Sequence, residues 1–449
     1  MDYQSHGFAA YKHGMVDEAA TAWDASLAGT PRDWRALYGL ANVYYDAGRL
    51  GRAQVFAGAS LGIEQNVFNL NVMGRIKAAQ GEWEKALGFF EFAHEKDPAE
   101  IDPINNAAMA CINLARYEDA RAWLESVPAD AVFTKDLRTV DRNWAFVHLF
   151  AQNWPEAWKA YDLGLGSNDR IERKYSDSVW KWNKDTDAKL PTVIYGEQGI
   201  GDEILFASCF PDAIADMEAP YIETMPRLVG LFSRSFPSAK VYGTRYEDRP
   251  HWIMAEGIER KISAGQLPGL YRNNDEDFPR TPFLKACSQR RAAVKGLLDP
   301  MPRKKKIGIA WTGGTVQTGY LDRALDLDAM MKALSDIDAE FISLQHTLAD
   351  GERPEEYGVF VFPWLTHRDL DYDNTAALVA ELDLVVGPPT SVVHLAGALG
   401  TPALVLQPQY PQWRTGGPSI PWYGCVESLF DWSWDDVAAK VEGVLNGSE

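Results

Sequence analysis

The stretch PTVIYGEQGIGDEILF, residues 191–206, passes from a short apolar segment into three glycines and an acid before helical residues resume. This order predicts a strand, a tight loop and a helix start. Glycine at 196, 199 and 201 permits positive φ and close approach to a ligand, and Asp202 falls where a helix N-cap is expected. Ligands of open α/β sheets bind outside the carboxyl ends of the strands, which makes Asp202 a candidate for chemistry. An ordinary capped turn accounts for the same residues equally well. The glycines run G-x-x-G-x-G with no lysine after them, so the segment is neither the dinucleotide fingerprint nor a phosphate loop.

With 449 residues, 46% hydrophobic and 12% aromatic, the chain has material for two or three domains with ordinary cores. Its start, MDYQSHGFAAYKHG, lacks a basic segment followed by an apolar one, and nowhere do eighteen apolar residues run without charge. Secretion and membrane spanning are therefore not expected, and the cytoplasm is. Cys111, Cys209, Cys287 and Cys425 are far apart and form no C-x-x-C pair, which suits buried thiols rather than disulfides or zinc. Forty-four basic against sixty-three acidic residues leave a net charge of −19, which disfavours nucleic acid as a partner. The basic run at residues 303–306 precedes the apolar IGIAW and reads as the solvated beginning of a strand.

The first third repeats itself. Alanines 19, 53, 86, 120 and 157 are separated by 34, 33, 34 and 37 residues, a period that belongs to helical repeats. Twelve residues before each stands a small residue (Gly7, Ala41, Gly74, Ala108, Ala145), and four after stands Trp23, Ala57, Phe90, Leu124 or Tyr161. Gly14, Gly48 and Gly81 precede the first three alanines by five as turn residues. These positions match the tetratricopeptide repeat, whose paired helices stack into a superhelix. Five units cover residues 3–170, the fifth looser, with Trp23, Phe90 and Tyr161 assigned to repeat packing. Arrays of this kind bind peptides or pair with a second copy.

A polar connector with Trp180 and Trp182 follows, and from Pro191 strand and helix alternate at lengths that imply parallel sheets with crossover helices. The first α/β unit is TVIYG, a helix from Asp202 to Met217, YIET, a helix from Arg227 to Ser235, and KVYG. The second opens at IGIAWTGG and continues through a helix near Leu327, FISLQ, VFVFPW, a helix from Asn374, LDLVVG, a helix from Ser391 to Leu399, PALVLQ and a closing helix from Trp434. The expected division is residues 1–170 for the repeats, 171–300 for a first Rossmann-like domain with its connector, and 301–449 for a second.

In VVGPPTSVVHLAGALGTPALVLQ, residues 385–407, a strand ends at Pro388 and Pro389 and a helix begins at Ser391. Exposed N–H groups and the positive end of the helix dipole make a cradle for a diphosphate, to which the Thr390 and Ser391 hydroxyls add. An ordinary capped helix explains Ser391 as well. His394, on the first turn, either faces a cleft or is a satisfied buried histidine. Asp371-Tyr372-Asp373 has D-x-D spacing but reads as loop and cap.

Together GIGDEILFASCFP and PTSVVHLAGALGTP resemble the two signature regions of the heptosyltransferase family, glycosyltransferase family 9. The chain resembles more closely proteins that fuse tetratricopeptide repeats to this catalytic fold, through G-E-Q-G-I-G-D-E, G-I-A-W, F-I-S-L-Q and H-L-A-G-A-L-G in order. The resemblance implies a repeat superhelix followed by a GT-B fold, two Rossmann-like domains facing a cleft with acceptor on the first and donor on the second. It implies Asp202 as catalytic base. For the donor it implies Gly201, the loop Trp311, Thr312 and Gly313 running on to Thr315, Arg323 toward the pyrophosphate, Gln345 toward base or ribose, and Thr390, Ser391 and His394 on the phosphate side. Trp413 and Arg414 are further candidates for the cleft wall. No cofactor and no metal are implied. Relatives place Asp-Asn-Ser-Thr or Asp-Thr-Gly before the histidine helix where this chain has Pro389, Thr390, Ser391 and Val392, so donor identity does not carry over.

The function so implied is an inverting, metal-independent glycosyltransferase that moves a sugar from a nucleotide-sugar to a hydroxyl of a protein or glycan recruited by the repeats. The rival reading is a non-catalytic repeat scaffold with a degenerate nucleotide-binding body, for which the apolar Val392 is the best support.

Overall fold

The computed structural model describes residues 3–128, 137–166, 170–313, 323–348, 351–365, 371–409, 411, 413–417 and 419–447. By internal contact the chain divides into two units, residues 1–147 and 148–449.

The first unit is helical. Helices α1 (Tyr3–Lys12), α2 (Val16–Gly29), α3 (Trp34–Asp46), α4 (Leu50–Leu61), α5 (Val67–Ala79), α6 (Trp83–Lys96), α7 (Ile101–Asn113) and α8 (Tyr117–Glu125) follow as four pairs. Local capping sets their starts: Asp33 accepts from the N–H groups of Arg35 and Ala36 at 3.0 and 3.4 Å, and Asn66 from that of Asn69 at 3.0 Å. Packing follows the small-against-large pattern of the repeat. A Cβ added at Gly7 or Gly39 would fall 2.4 Å from the buried indole of Trp23, and one at Gly74 would fall 2.4 Å from the Phe90 ring. Gly14, Gly48 and Gly81 hold φ of +74°, +68° and +78° between paired helices. Ala115 takes the same left-handed conformation at +54° in the fourth turn, and Gln152 at +57° in the fifth.

Helix α9 (Leu137–Phe150) crosses the division, and α10 (Trp154–Leu163) lies in the second unit. The sequence assigns α10 to a fifth repeat and Tyr161 to its core. α10 packs on the α/β body, with the Trp158 indole N–H donating to the Arg272 carbonyl at 2.6 Å and Trp154 to Asp275 at 2.7 Å. Tyr161 is buried against Phe206 and Trp413.

Among the described residues the second unit holds two parallel sheets. The first contains β1 (Trp180–Lys181), β2 (Thr192–Tyr195), β3 (Pro220–Glu223), β4 (Lys240–Tyr242) and β5 (Arg260–Ser263) in the order β1-β5-β2-β3-β4. The second contains β6 (Lys305–Ile309), β7 (Ala339–Ser343), β8 (Val359–Phe360), β9 (Leu384–Gly387), β10 (Ala403–Leu406) and β11 (Val426–Leu429) in the order β11-β10-β9-β6-β7-β8. Counted along the chain, that second order is 3-2-1-4-5-6, the doubly wound arrangement. The connector is not a mere link: β1 pairs with β5, and Trp182 and Asp187 are buried.

The helix expected over residues 202–217 is broken into α11 (Ile200–Phe206), a 3-10 turn over Ala207–Cys209 and a second helix over Phe210–Ala215. Pro211 explains the break, because it has no N–H to donate and its ring collides with the carbonyl four residues earlier. Cys111 and Cys209 are buried as expected, whereas Cys287 and Cys425 are only partly so.

Candidate functional site

In each sheet the chain leaves a central strand to one side and later returns on the other. These reversals lie at β2, between β3 and β5, and at β6, between β7 and β9. Ligands of open α/β sheets bind at such points, outside the strand carboxyl ends. The GEQGIGDE loop leaves β2, Trp311 to Gly313 leave β6, and Pro388 to Ser391 leave β9. The segments singled out by sequence therefore stand at both reversals.

None of Gly196, Gly199 and Gly201 has positive φ, contrary to the conformational role read from sequence. Two of them make room instead. A Cβ at Gly196 would fall 2.3 Å from Glu203 Oε1, and one at Gly201 would sit 3.2 Å from His394 Cδ2 and 3.5 Å from the Ser391 Cα. Gly201 thus lets α11 lie against the helix Ser391–Leu399. The N-cap of α11 is Gly199, not Asp202, whose Oδ2 reaches back to accept the Gly199 N–H at 3.2 Å. Asp202 Oδ1 accepts from Arg414 Nε at 2.5 Å, with the two side chains 16% and 22% exposed.

Other polar groups of the loop are tied into the body. Glu197 receives Arg170 Nε at 3.0 Å and a terminal nitrogen at 2.7 Å, with Ser263 Oγ at 2.9 Å. Gln198 Oε1 accepts from the Tyr161 hydroxyl at 2.6 Å. Glu203 is buried, accepts from Arg245, the Thr224 hydroxyl and the Met225 N–H, and has its proton affinity raised by burial. Of these acids, Asp202 alone faces the second sheet's loops.

On that side Thr390 is the N-cap of the Ser391 helix, yet its hydroxyl caps nothing: Thr390 Oγ1 is buried without a partner among the described residues. A Cβ at Gly313 would fall 2.3 Å from Thr390 Cγ2, so only glycine lets the β6 loop come so near. Ser391 Oγ accepts from the Tyr372 hydroxyl at 3.1 Å, and Arg323 donates to the Pro389 carbonyl at 3.1 Å. His394 is 4% exposed, its Nδ1 lies 3.1 Å from the Tyr423 hydroxyl, and burial lowers its pKa to about 4. The imidazole is therefore neutral at pH 7, with Asp202, Arg414 and Arg323 all near enough to act on it electrostatically.

Two residues implied for the donor are engaged by the protein itself. Trp311 is 1% exposed and packs in the second sheet's core with Ile307, Ile309 and Phe341. Gln345 is also buried; its Oε1 accepts the Trp311 and Thr312 N–H groups at 3.3 and 3.2 Å, and its Nε2 donates to Thr312 Oγ1 at 3.1 Å. It holds the β6 loop in shape. Thr315 lies outside the described residues. Asp371 accepts the Asp373 N–H at 3.0 Å as a cap, while Arg290 holds Asp371 at 2.7 Å and Arg234 holds Asp373. Val392 is buried, so the apolar substitution there faces the core. Tyr161, Arg170, Tyr372 and Tyr423 were not singled out for the site, and no spacing in the sequence ties them to it.

Residues 77–139 match the tetratricopeptide repeat family model. Over 437 residues the chain is 25% identical to Protein FlbA of Caulobacter vibrioides, covering 94% of this chain and 73% of that protein. Among solved structures it is similar to YrrB, described as a tetratricopeptide-repeat protein with an unusual peptide-binding site (16% identity, 36% of this chain and 82% of that one, TM-score 0.29). It is also similar to TTC0263 of Thermus thermophilus, likewise a repeat protein (20% identity, 37% and 90%, TM-score 0.32). The amino-terminal region is a tetratricopeptide array, followed by an α/β body of parallel sheets and helices.

Proposed function

We propose that the second unit is a heptosyltransferase-like GT-B glycosyltransferase that works by inversion, without metal, in the cytoplasm, on an acceptor brought by the repeats. The observation that carries this reading is the approach of Gly201 to Ser391 and His394, next to the Asp202 carboxylate and a helix start whose Thr390 hydroxyl is buried without a partner among the described residues. The carboxylate suits a general base and the helix start suits the phosphates of a nucleotide-sugar. In a protein of net charge −19, two arginines, Arg323 and Arg414, gather at this point around one acid. That local balance favours a polyanion.

In the reaction an acceptor hydroxyl oxygen attacks the anomeric carbon as its proton passes to Asp202. The bond from that carbon to the phosphate oxygen breaks, and its electron pair leaves with the diphosphate. The helix start and the guanidinium groups meet the added charge. Neutral His394 holds Tyr423 and fills the space behind Gly201 rather than moving a proton.

A scaffold reading draws on Arg414, which already occupies Asp202. The test is a thermal-shift panel of nucleotide-sugars on the full chain, followed by a transfer assay with any that bind. A ligand of the folded state raises the melting temperature by mass action. Asp202→Asn is expected to abolish transfer while retaining nucleotide binding. Absence of any nucleotide-dependent shift would favour the scaffold.

A further inference from the structure

Arg414 stands at the most consequential contact of the site. Its guanidinium meets Asp202 Oδ1 at 2.5 Å, while Oδ2 already takes the Gly199 N–H. Its own backbone neighbour is fixed: the Trp413 ring lies against Trp158, Tyr161 and Trp422, and the Arg414 guanidinium carbon sits 4.8 Å from the Trp413 ring centre. The root of the side chain is clamped and its charged end reaches Asp202. Asp202 is one residue from Gly201, and Gly201 borders the Ser391 helix start, so a guanidinium at Asp202 is within side-chain reach of an anion bound there.

We infer that Arg414 is a donor-binding residue that exchanges Asp202 for the diphosphate, so that loading the donor is what releases the base. This rests on the glycosyltransferase reading above. A sugar-linked diphosphate carries two charges against one on Asp202 and offers oxygens to both edges of the guanidinium fork, so it is the stronger partner. Once Arg414 turns, Asp202 Oδ1 is open to the acceptor proton. As the carbon–oxygen bond to phosphate breaks, the third charge develops where Arg414 has moved. Donor binding thus precedes proton transfer, and the resting ion pair keeps the base occupied until the donor is in place.

The experiment is calorimetric titration of the full chain with UDP, GDP, ADP, CDP and dTDP, the tightest of which is carried to variants. Loss of one charge-assisted contact is worth about tenfold or more in affinity, so Arg414→Ala is expected to weaken binding by at least that factor and Arg414→Lys by less. Asp202→Asn is expected to tighten binding severalfold, because Arg414 no longer has to leave a carboxylate. In the Arg414→Ala background Asp202→Asn should then bring no gain. Equal affinity of wild type and Arg414→Ala, or no tightening by Asp202→Asn, overturns the exchange while leaving the glycosyltransferase reading standing. Failure of the wild type to bind any of the five overturns both. Should Arg414→Ala not fold, Asp202→Asn alone decides by its sign.

Discussion

The Tyr161 hydroxyl donates to Gln198 Oε1 over 2.6 Å, which ties α10 to the loop that carries Asp202. The Arg170 guanidinium lies 3.8 Å from the centre of the same ring and binds Glu197 in that loop. Tyr161→Phe removes the hydrogen bond and keeps the ring. Gln198 is only partly buried and can turn to water, so the expected cost is about 1 kcal/mol by urea unfolding. Hydrogen exchange of the loop amides should speed up in this variant, and unchanged exchange would show that Glu197 alone holds the loop.

Arg170 and Glu197 form the most enclosed ion pair at the site, with side chains 3% and 1% exposed. Arg170→Met leaves the Glu197 carboxylate buried without its partner, and destabilisation of about 3–5 kcal/mol is expected. Adding Glu197→Leu should recover most of that loss, since an apolar pair of similar volume avoids desolvating both charges. Equal stability of the single and double variants in denaturant titration would refute this account.

The two room-making glycines are expected to respond differently to the same methyl group. At Gly196 it would fall 2.3 Å from Glu203 Oε1, a buried carboxylate fixed by Arg245 and Thr224. At Gly201 the nearest atom, His394 Cδ2, is 3.2 Å away, which a small helix shift accommodates. Gly196→Ala should cost about 3 kcal/mol and Gly201→Ala about 1 kcal/mol, within the range for overpacked sites. Chemical denaturation of both variants checks the order.

His394 predicts an acid sensitivity. Burial lowers its folded pKa to about 4 from 6.5, so the unfolded chain binds a proton there first as pH falls. The stability it contributes is full above 6.5 and is lost as pH drops from there toward 4, by about 3 kcal/mol in all. His394→Asn removes that titration while the carboxylates remain. Its stability at pH 5 relative to pH 7 should therefore fall less than that of the wild type, and parallel pH profiles would disprove the assignment.

What sequence could show was whatever is written in period and in local chemistry. Trp23 against Gly7 and Phe90 against Gly74 follow from repeat spacing alone, and both reversal loops were marked by strand endings. The strands that escaped notice are those whose partners, not residues, define them: β1 is two residues long, β5 reads R-K-I-S with its charged start only half-buried, and β11 reads V-E-S-L with mixed polarity at a sheet edge. The contacts of α10 with the α/β body escaped for a similar reason, because a helix in repeat phase can also bury its aromatics against another body. Arg414 could be suspected beside the cleft, but its contact with Asp202 joins residues 212 apart, which no local pattern encodes.

The repeat turns supply a last, simple prediction. Three of them place glycine at positive φ, whereas Ala115 holds +54° in the fourth. A left-handed conformation costs an L-residue with a Cβ roughly 1–2 kcal/mol, and glycine escapes that cost but loses more chain entropy on folding. The first effect exceeds the second, because alanine at positive φ is the case in which the usual gain from replacing glycine reverses. Ala115→Gly is therefore expected to stabilise the first unit by about 0.5–1 kcal/mol, read as a higher midpoint in urea with an unchanged slope. The control is Gly48→Ala, at φ +68° with nothing within 4 Å of the added Cβ, so that only the backbone conformation changes. It should destabilise by a comparable amount, and matching signs for the two substitutions would rule out backbone strain as the cause.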